Sequence, residues 1–208
     1  MRLSCSPPQP CSPCSPRAHQ PWPPCDHCLP AGLSDLGLEI CSEVSMISSG
    51  TELLIYRGLF DVTDEPLDAT IASLSDDTLA YPMAYGYSLV GHVAAIGAQV
   101  PMAMLGKLVF AFAPHAARAF ACVSSVQVVP DGICAADATF LPAAETAISI
   151  AHDAHPRAAE TVHVYGCGII GLLVVATLKS AGVYVAAIDP DASRRYRANI
   201  DPQALGPM

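Results

Sequence analysis

The chain has 208 residues, a net charge of −9 and an isoelectric point near 5.0. That acidity leaves no electrostatic basis for binding nucleic acid or an anionic membrane surface, both of which need clustered cations. Hydrophobic residues make up 52% and charged residues 14%, a balance that builds a core rather than a disordered coil.

Residues 1–34 stand apart. They hold nine of the 19 prolines and five of the nine cysteines. Proline lacks the backbone donor and fixes φ, so the segment is expected to be an irregular, polyproline-like extension. Two Cys-x2-Cys pairs, Cys11/Cys14 and Cys25/Cys28, lie here with His19 and His27. Such pairs can make a tetrahedral zinc site. Pro13 and the run Pro21-Trp22-Pro23-Pro24 crowd these ligands, and the expectation is that no metal binds. An organelle leader is the other reading: acids are absent until Asp26, and Arg2 and Arg17 are present. The Arg-rich amphipathic pattern of such leaders is missing, and so is the apolar stretch of a secretory signal.

Residues 35–140 read as β-rich. Strands are predicted over Leu38–Ile47, Ser88–Ile96, Lys107–Ala113, Phe120–Val123 and Val126–Val129. One helical turn is predicted over Glu52–Tyr56, and loops over Asp61–Asp77 and Val100–Gly106. Short strands at regular spacing with glycine punctuation predict a small barrel or sandwich. Ala135–Asp153 has helical character and leads into the last region, residues 141–208.

That region carries the strongest pattern. Val162–Tyr165 reads as a buried strand, followed by Gly166-Cys167-Gly168-Ile169-Ile170-Gly171. An apolar helical segment ends at Lys179-Ser180-Ala181-Gly182, the cation and glycine of a helix C-terminus. A second strand, Val183–Ile188, ends in Asp189. Gly166 permits a tight turn, Gly168 lets a pyrophosphate approach the backbone, and Gly171 lets the helix pack on the strand. The helix N-terminus offers free N–H groups to the phosphate, and Asp189 is placed to accept ribose hydroxyls. The pattern predicts a dinucleotide site using Gly166, Gly168, Ile169, Ile170, Gly171 and Asp189. A carboxylate repels a 2′-phosphate, which favours NAD. Arg194, with Arg195 beside it, could accept that phosphate and leaves NADP open. Cys167 reads as a spacer.

The order of barrel, helix and glycine turn resembles the medium-chain dehydrogenase/reductase superfamily. The matching stretches are Ser45–Glu52, Tyr85–Gly91, Gly106–Phe112, Leu141–Ala147 and Gly166–Gly171. The nearest look is to its zinc-free alcohol-dehydrogenase-like group, including the bacteriochlorophyllide hydroxyethyl dehydrogenase branch. The resemblance implies an α/β chain with a GroES-like catalytic domain over 35–140 and part of a Rossmann domain over 141–208. It implies an NAD(P)-dependent oxidoreductase acting on an alcohol, carbonyl or activated alkene. Zinc members place Cys, His and a third ligand where this chain has Ser48 or Ser49, Tyr87-Ser88 and Pro142. These are poor zinc ligands, and the structural zinc lobe retains only Cys122 and Cys134. Zinc-independent chemistry is expected.

Without a metal, a polarising donor must act near the substrate oxygen. Tyr87 takes the place of the family's zinc-binding histidine, and Thr146 matches a threonine near the nicotinamide. Ser48 and Thr51 could donate or relay a proton, and His115 could act as acid or base. Each has a plain reading beside it: turn residues for Ser48 and Thr51, a packed phenol for Tyr87, a loop imidazole for His115. Glu145 is either a buried acid or a solvent-facing helix residue, and His92 reads as structural. The partner expected is a small molecule, with the chain cytoplasmic or organellar and homo-oligomerisation doubtful. The tail after Asp189 reads as too short to complete a six-stranded Rossmann sheet. The sequence therefore also fits an inactive interaction protein derived from that family, or an inactive, partly folded fragment with Ile169, Ile170, Leu173 and Val174 facing water.

Overall fold

The computed structural model describes residues 33–59, 84–157 and 159–199. The readings of the proline- and cysteine-rich segment through residue 32, of Asp61–Asp77, and of the tail beyond residue 199 lie outside them. The chain divides into two compact units, one running to Pro130 with Cys134–Ala136, the other formed by Asp131–Ile133 and Asp137 onward.

The first unit is an antiparallel sheet of five strands: β1 (Gly37–Ser45), β2 (Leu89–Ile96), β3 (Leu108–Ala111), β4 (Arg118–Cys122) and β5 (Val126–Val128). Their spatial order is β4-β1-β2-β3-β5. Side chains alternate between the faces of a strand, and the inward set forms the core: Leu38 and Ile40 from β1, Leu89 and Val93 from β2, Val109 and Ala111 from β3. Burying each of the larger side chains is worth about 1.5–3 kcal/mol. The β1–β2 register shifts between Glu39 and Ile40 and again between Ser42 and Val44, and irregularities of this kind bend a strand. The predicted strands are all present with shifted ends: β4 begins two residues earlier, at Arg118, while β1 and β3 each stop two residues short of their predicted ends. Helix α1 (Thr51–Tyr56) follows β1, and Met102–Met104 makes one 3-10 turn inside the predicted loop.

The second unit holds helix α3 (Leu141–Asp153), strand β6 (Thr161–Tyr165), helix α4 (Ile169–Ser180), strand β7 (Tyr184–Ile188) and helix α5 (Ala192–Asn199). The short helix α2 (Ala135–Ala138) lies at the division. Strands β6 and β7 pair in parallel, Thr161 opposite Tyr184 and Tyr165 opposite Ile188. The small core joins Ala147 and Ala151 of α3 to Val174 and Leu178 of α4, with Val162, Val164 and Val185 packed against it.

Three expectations change here. Val162–Tyr165 is not wholly buried: Val162 and Val164 turn inward while His163 and Tyr165 face out, Tyr165 being 75% exposed. Apolar composition hid an alternating strand. Of the four α4 side chains expected in water, Val174 is buried and Ile170 and Leu173 pack on the core, because α3 covers that face; Ile169 remains exposed. The tail adds α5, which the sequence reading missed. Lys179 donates not to its own helix end but to the Ala198 carbonyl of α5 at 2.8 Å. No helix among the described residues is long and apolar enough to cross a membrane.

Candidate functional site

Each unit carries one cluster of predicted residues. In the second unit, Gly166 ends β6 with φ +93°, which favours glycine, and its N–H donates to Ile188 O at 2.7 Å. Gly168 is the N-cap of α4, and no side chain caps that helix. The N–H groups of the first turn are thus left for an anion. A methyl group built on Gly168 would meet nothing within 4 Å, whereas one on Gly171 would overlap the Gly166 carbonyl oxygen. The two glycines do different work: Gly171 lets the helix close on the turn, and Gly168 keeps the space in front of it clear.

Asp189 lies at the end of β7 and is buried. Its Oδ2 accepts the Cys167 N–H at 2.8 Å, and its Oδ1 accepts the Asp191 N–H at 2.8 Å. These bonds, with the Arg194 guanidinium adding a smaller pull, hold its pKa below the ordinary carboxylate value despite burial. A carboxylate has about four acceptor positions, so two bonds leave capacity for hydroxyl donors. Arg194 stands 3.9 Å from both the Asp189 and Asp191 carboxylates and is 55% exposed. Arg195 grips the carbonyls of Asp189 and Pro190. Burial, reinforced by the Asp189 charge, pushes the Cys167 thiol up, so it is an inert spacer. Thr146 is exposed on α3, and its hydroxyl donates to Pro142 O at 2.9 Å. Glu145 faces solvent.

In the first unit the structure brings Ser48 and His115 together through a residue the sequence reading did not single out, Glu52. Glu52 sits in the first turn of α1 and is only 8% exposed. Its Oε1 accepts the Ser48 N–H at 3.1 Å, and its Oε2 lies 2.7 Å from His115 Nε2. The His115 ring lies against Gly86. Gly86 has φ +143°, and a Cβ there would meet the ring at 2.8 Å. The His115 N–H donates to Tyr85 O at 3.2 Å. Tyr87 follows, half-buried, its ring edge-on to Tyr85 at 6.3 Å. Ser48 contributes its backbone here, and Thr51 is exposed. His92 is tied to Glu43 at 3.2 Å and to Gly106 O at 3.1 Å, an anchoring arrangement. Among the described residues no group of three or more His, Cys, Asp and Glu side chains could hold a metal ion.

Comparison with solved structures places this architecture. The chain superposes on 2R,3R-butanediol dehydrogenase from Bacillus subtilis with a TM-score of 0.66 at 20% identity, covering 86% of this chain and 59% of that one. A short-chain alcohol dehydrogenase from Escherichia coli CFT073, solved with NADH, gives 0.63 at 20% identity over 82% of this chain and 55% of that one. Escherichia coli quinone oxidoreductase, solved with NADPH, gives 0.63 at 15% identity over 82% and 49%. The fold is that of the medium-chain dehydrogenase/reductases. Those proteins have GroES-like and Rossmann domains, and the mixed α/β architecture of this chain matches part of theirs. The chain spans about half the length of these structures. No family model matches the sequence, and no curated protein matches it.

Proposed function

We propose that the chain is an NAD(P)-dependent oxidoreductase of the medium-chain dehydrogenase/reductase type, acting on an alcohol, carbonyl or activated alkene without zinc. The observation that carries this is the glycine turn: open space before Gly168, an uncapped helix N-terminus behind it, and the Asp189 carboxylate at the end of the next strand. These residues fit a nicotinamide dinucleotide, whose chemistry is to accept or give a hydride. The first-turn N–H groups of α4 would hold the pyrophosphate, and Asp189 the adenosine ribose. Thr146 is proposed at the nicotinamide end.

NAD is the preferred cofactor, because the buried Asp189 carboxylate is held ionised and would repel a 2′-phosphate. The half-exposed Arg194 supports the second reading, NADP, since a guanidinium beside Asp189 can accept a 2′-phosphate. Tyr87 is proposed to polarise the substrate carbonyl, with Ser48 and Thr51 as donors beside it. Zinc independence rests on Ser48/Ser49, Tyr87-Ser88 and Pro142 at the positions of the family's ligands.

Calorimetric titration of the purified chain with NADH and NADPH tests the proposal. Saturable binding, tighter for NADH, is expected. Binding of neither cofactor at millimolar concentration would overturn the proposal, and tighter NADPH binding would overturn the NAD preference.

A further inference from the structure

Helix α3 ends in two histidines that the proposed reaction does not use. His152 lies in its last turn, and His155 follows directly after the C-cap, Ala154. Both are exposed, the His152 side chain by 77%. Their ring centroids are 5.2 Å apart, with the planes inclined at 66°. The backbone holds them so. His155 has φ +40°, a left-handed conformation that is uncommon for a residue with a side chain. Helices that end this way usually place glycine there, where no Cβ is strained. The His155 N–H donates to His152 O at 3.2 Å, closing the turn that brings one ring back to the other. Ending the helix needs only the bend and no imidazole on it, and strain kept at such a residue points to a role for the side chain.

We propose that His152 and His155 form a surface site for zinc, with water filling the two remaining positions. The separation of the rings suits a shared ion. Zinc sits about 2.0–2.1 Å from an imidazole nitrogen and hence about 3.2 Å from the ring centre. Two rings at the tetrahedral angle then have centres about 5.2 Å apart, whereas the right angle of a square-planar site would bring them to about 4.5 Å. Asp153 Oδ1 stands 3.8 Å from His152 Nδ1. A carboxylate on that side holds the proton on Nδ1 and leaves Nε2 with the lone pair that a metal takes. The negative end of the α3 dipole favours a cation at the same place. Asp153 is not itself a third ligand, since no group of three such side chains among the described residues could hold a metal. Two protein ligands bind more weakly than the three or four of catalytic and structural centres, so the ion exchanges with the medium. Its binding fastens the chain after α3 to the helix's last turn and so stabilises the second unit. None of the residues proposed for cofactor or substrate takes part, and a reaction that needs no zinc is untouched.

Zinc chloride titrated into the full chain labelled with nitrogen-15 histidine tests the site. The ring nitrogens of His152 and His155 should shift together and saturably. Magnesium chloride, whose ion prefers oxygen ligands, should shift neither. His155→Gly is the deciding variant. Glycine suits the left-handed φ, so the melting curve should stay cooperative. The apparent zinc affinity read at His152 should nevertheless fall by about 10²-fold, the scale for losing one of two linked contacts. Zinc should also raise the melting temperature of the wild type, as a ligand of the folded state does, by more than that of His155→Gly or His152→Ala. No shift at millimolar zinc, a shift at one ring alone, an equal response to magnesium, or wild-type zinc affinity in His155→Gly would overturn the proposal.

Discussion

Gly168→Ala and Gly171→Ala give opposite signatures if the turn is a cofactor cradle. At 171 the new methyl would overlap the Gly166 carbonyl oxygen, a backbone atom that cannot swing aside. Helix α4 must then back away from the turn by roughly 1 Å in a close-packed unit, loosening Val174, Val175 and Leu178, all buried on it. Such overpacking costs about 1–3 kcal/mol, offset by up to about 1 kcal/mol because alanine is the better helix former. A net loss of about 1–2 kcal/mol lowers the melting temperature of a small domain by about 4–15 °C. At 168 the backbone has φ −74° and ψ −169°, which alanine adopts freely, and the methyl meets nothing. The weaker N-cap costs at most about 1 kcal/mol. The methyl does, however, fill the space in which a pyrophosphate would approach the backbone, so NADH affinity should fall by at least about tenfold, or 1.4 kcal/mol. Thermal melts followed by circular dichroism and NADH titrations on both variants give the comparison. Wild-type NADH affinity in Gly168→Ala would refute the cradle, and an unchanged melting temperature in Gly171→Ala would refute the close approach.

Asp189 has a lowered pKa in the folded chain, so its contribution to stability is complete above the ordinary aspartate value of about 3.9 and is lost as pH falls toward and through the folded value. Melts across the acid range should show this loss, and Asp189→Asn should flatten it; Asp191, lowered by Ser193, titrates in the same sense and needs its own Asn control. Tyr87→Phe should lower turnover by about 10²-fold if the phenol polarises the substrate; a wild-type rate would remove it from the site. Activity should survive a zinc chelator, and loss with recovery on adding zinc would defeat the metal-free reading. A thiol reagent followed by mass spectrometry should label Cys122 before Cys167. Cys122 is exposed and its thiol is lowered by the Ser124 hydroxyl, whereas Cys167 is buried and raised; the reverse order would contradict the burial of Cys167.

The glycine turn was legible because its requirements are local: a tight turn, a helix start and an acid lie within one stretch of chain. The sheet was legible for the same reason, from alternation and glycine punctuation strand by strand. The Glu52–His115 pair was not. Its members are far apart in sequence, and neither residue type signals a partner; only the placement of α1 and of the loop after β3 joins them. One faint signal existed, an acid in the first turn of a short helix four residues after a serine N–H it can reach. Helix α5 was missed because Ala192–Asn199 is too polar to show a buried face. Its start could have been read from Asp191, whose carboxylate accepts both the N–H and the hydroxyl of Ser193. The exposure of Tyr165 shows the limit of composition: a mainly apolar run of four residues does not say how many of its faces are covered.

On the proposed dinucleotide reading, the two bonds at Asp189 also constrain what a change of cofactor would require. The same carboxylate that would discriminate against a 2′-phosphate clamps the backbone at Cys167, inside the glycine turn, and at Asp191, ahead of α5. Exchanging it for a small neutral side chain would remove the repulsion and unfasten the turn in one stroke. On that reading selectivity and rigidity would rest on one side chain, so a switch toward phosphorylated dinucleotides would need a second substitution that refastens the Cys167 amide. Arg195, which grips carbonyls rather than the carboxylate, would remain in place through such a change and keep the strand end attached to α5.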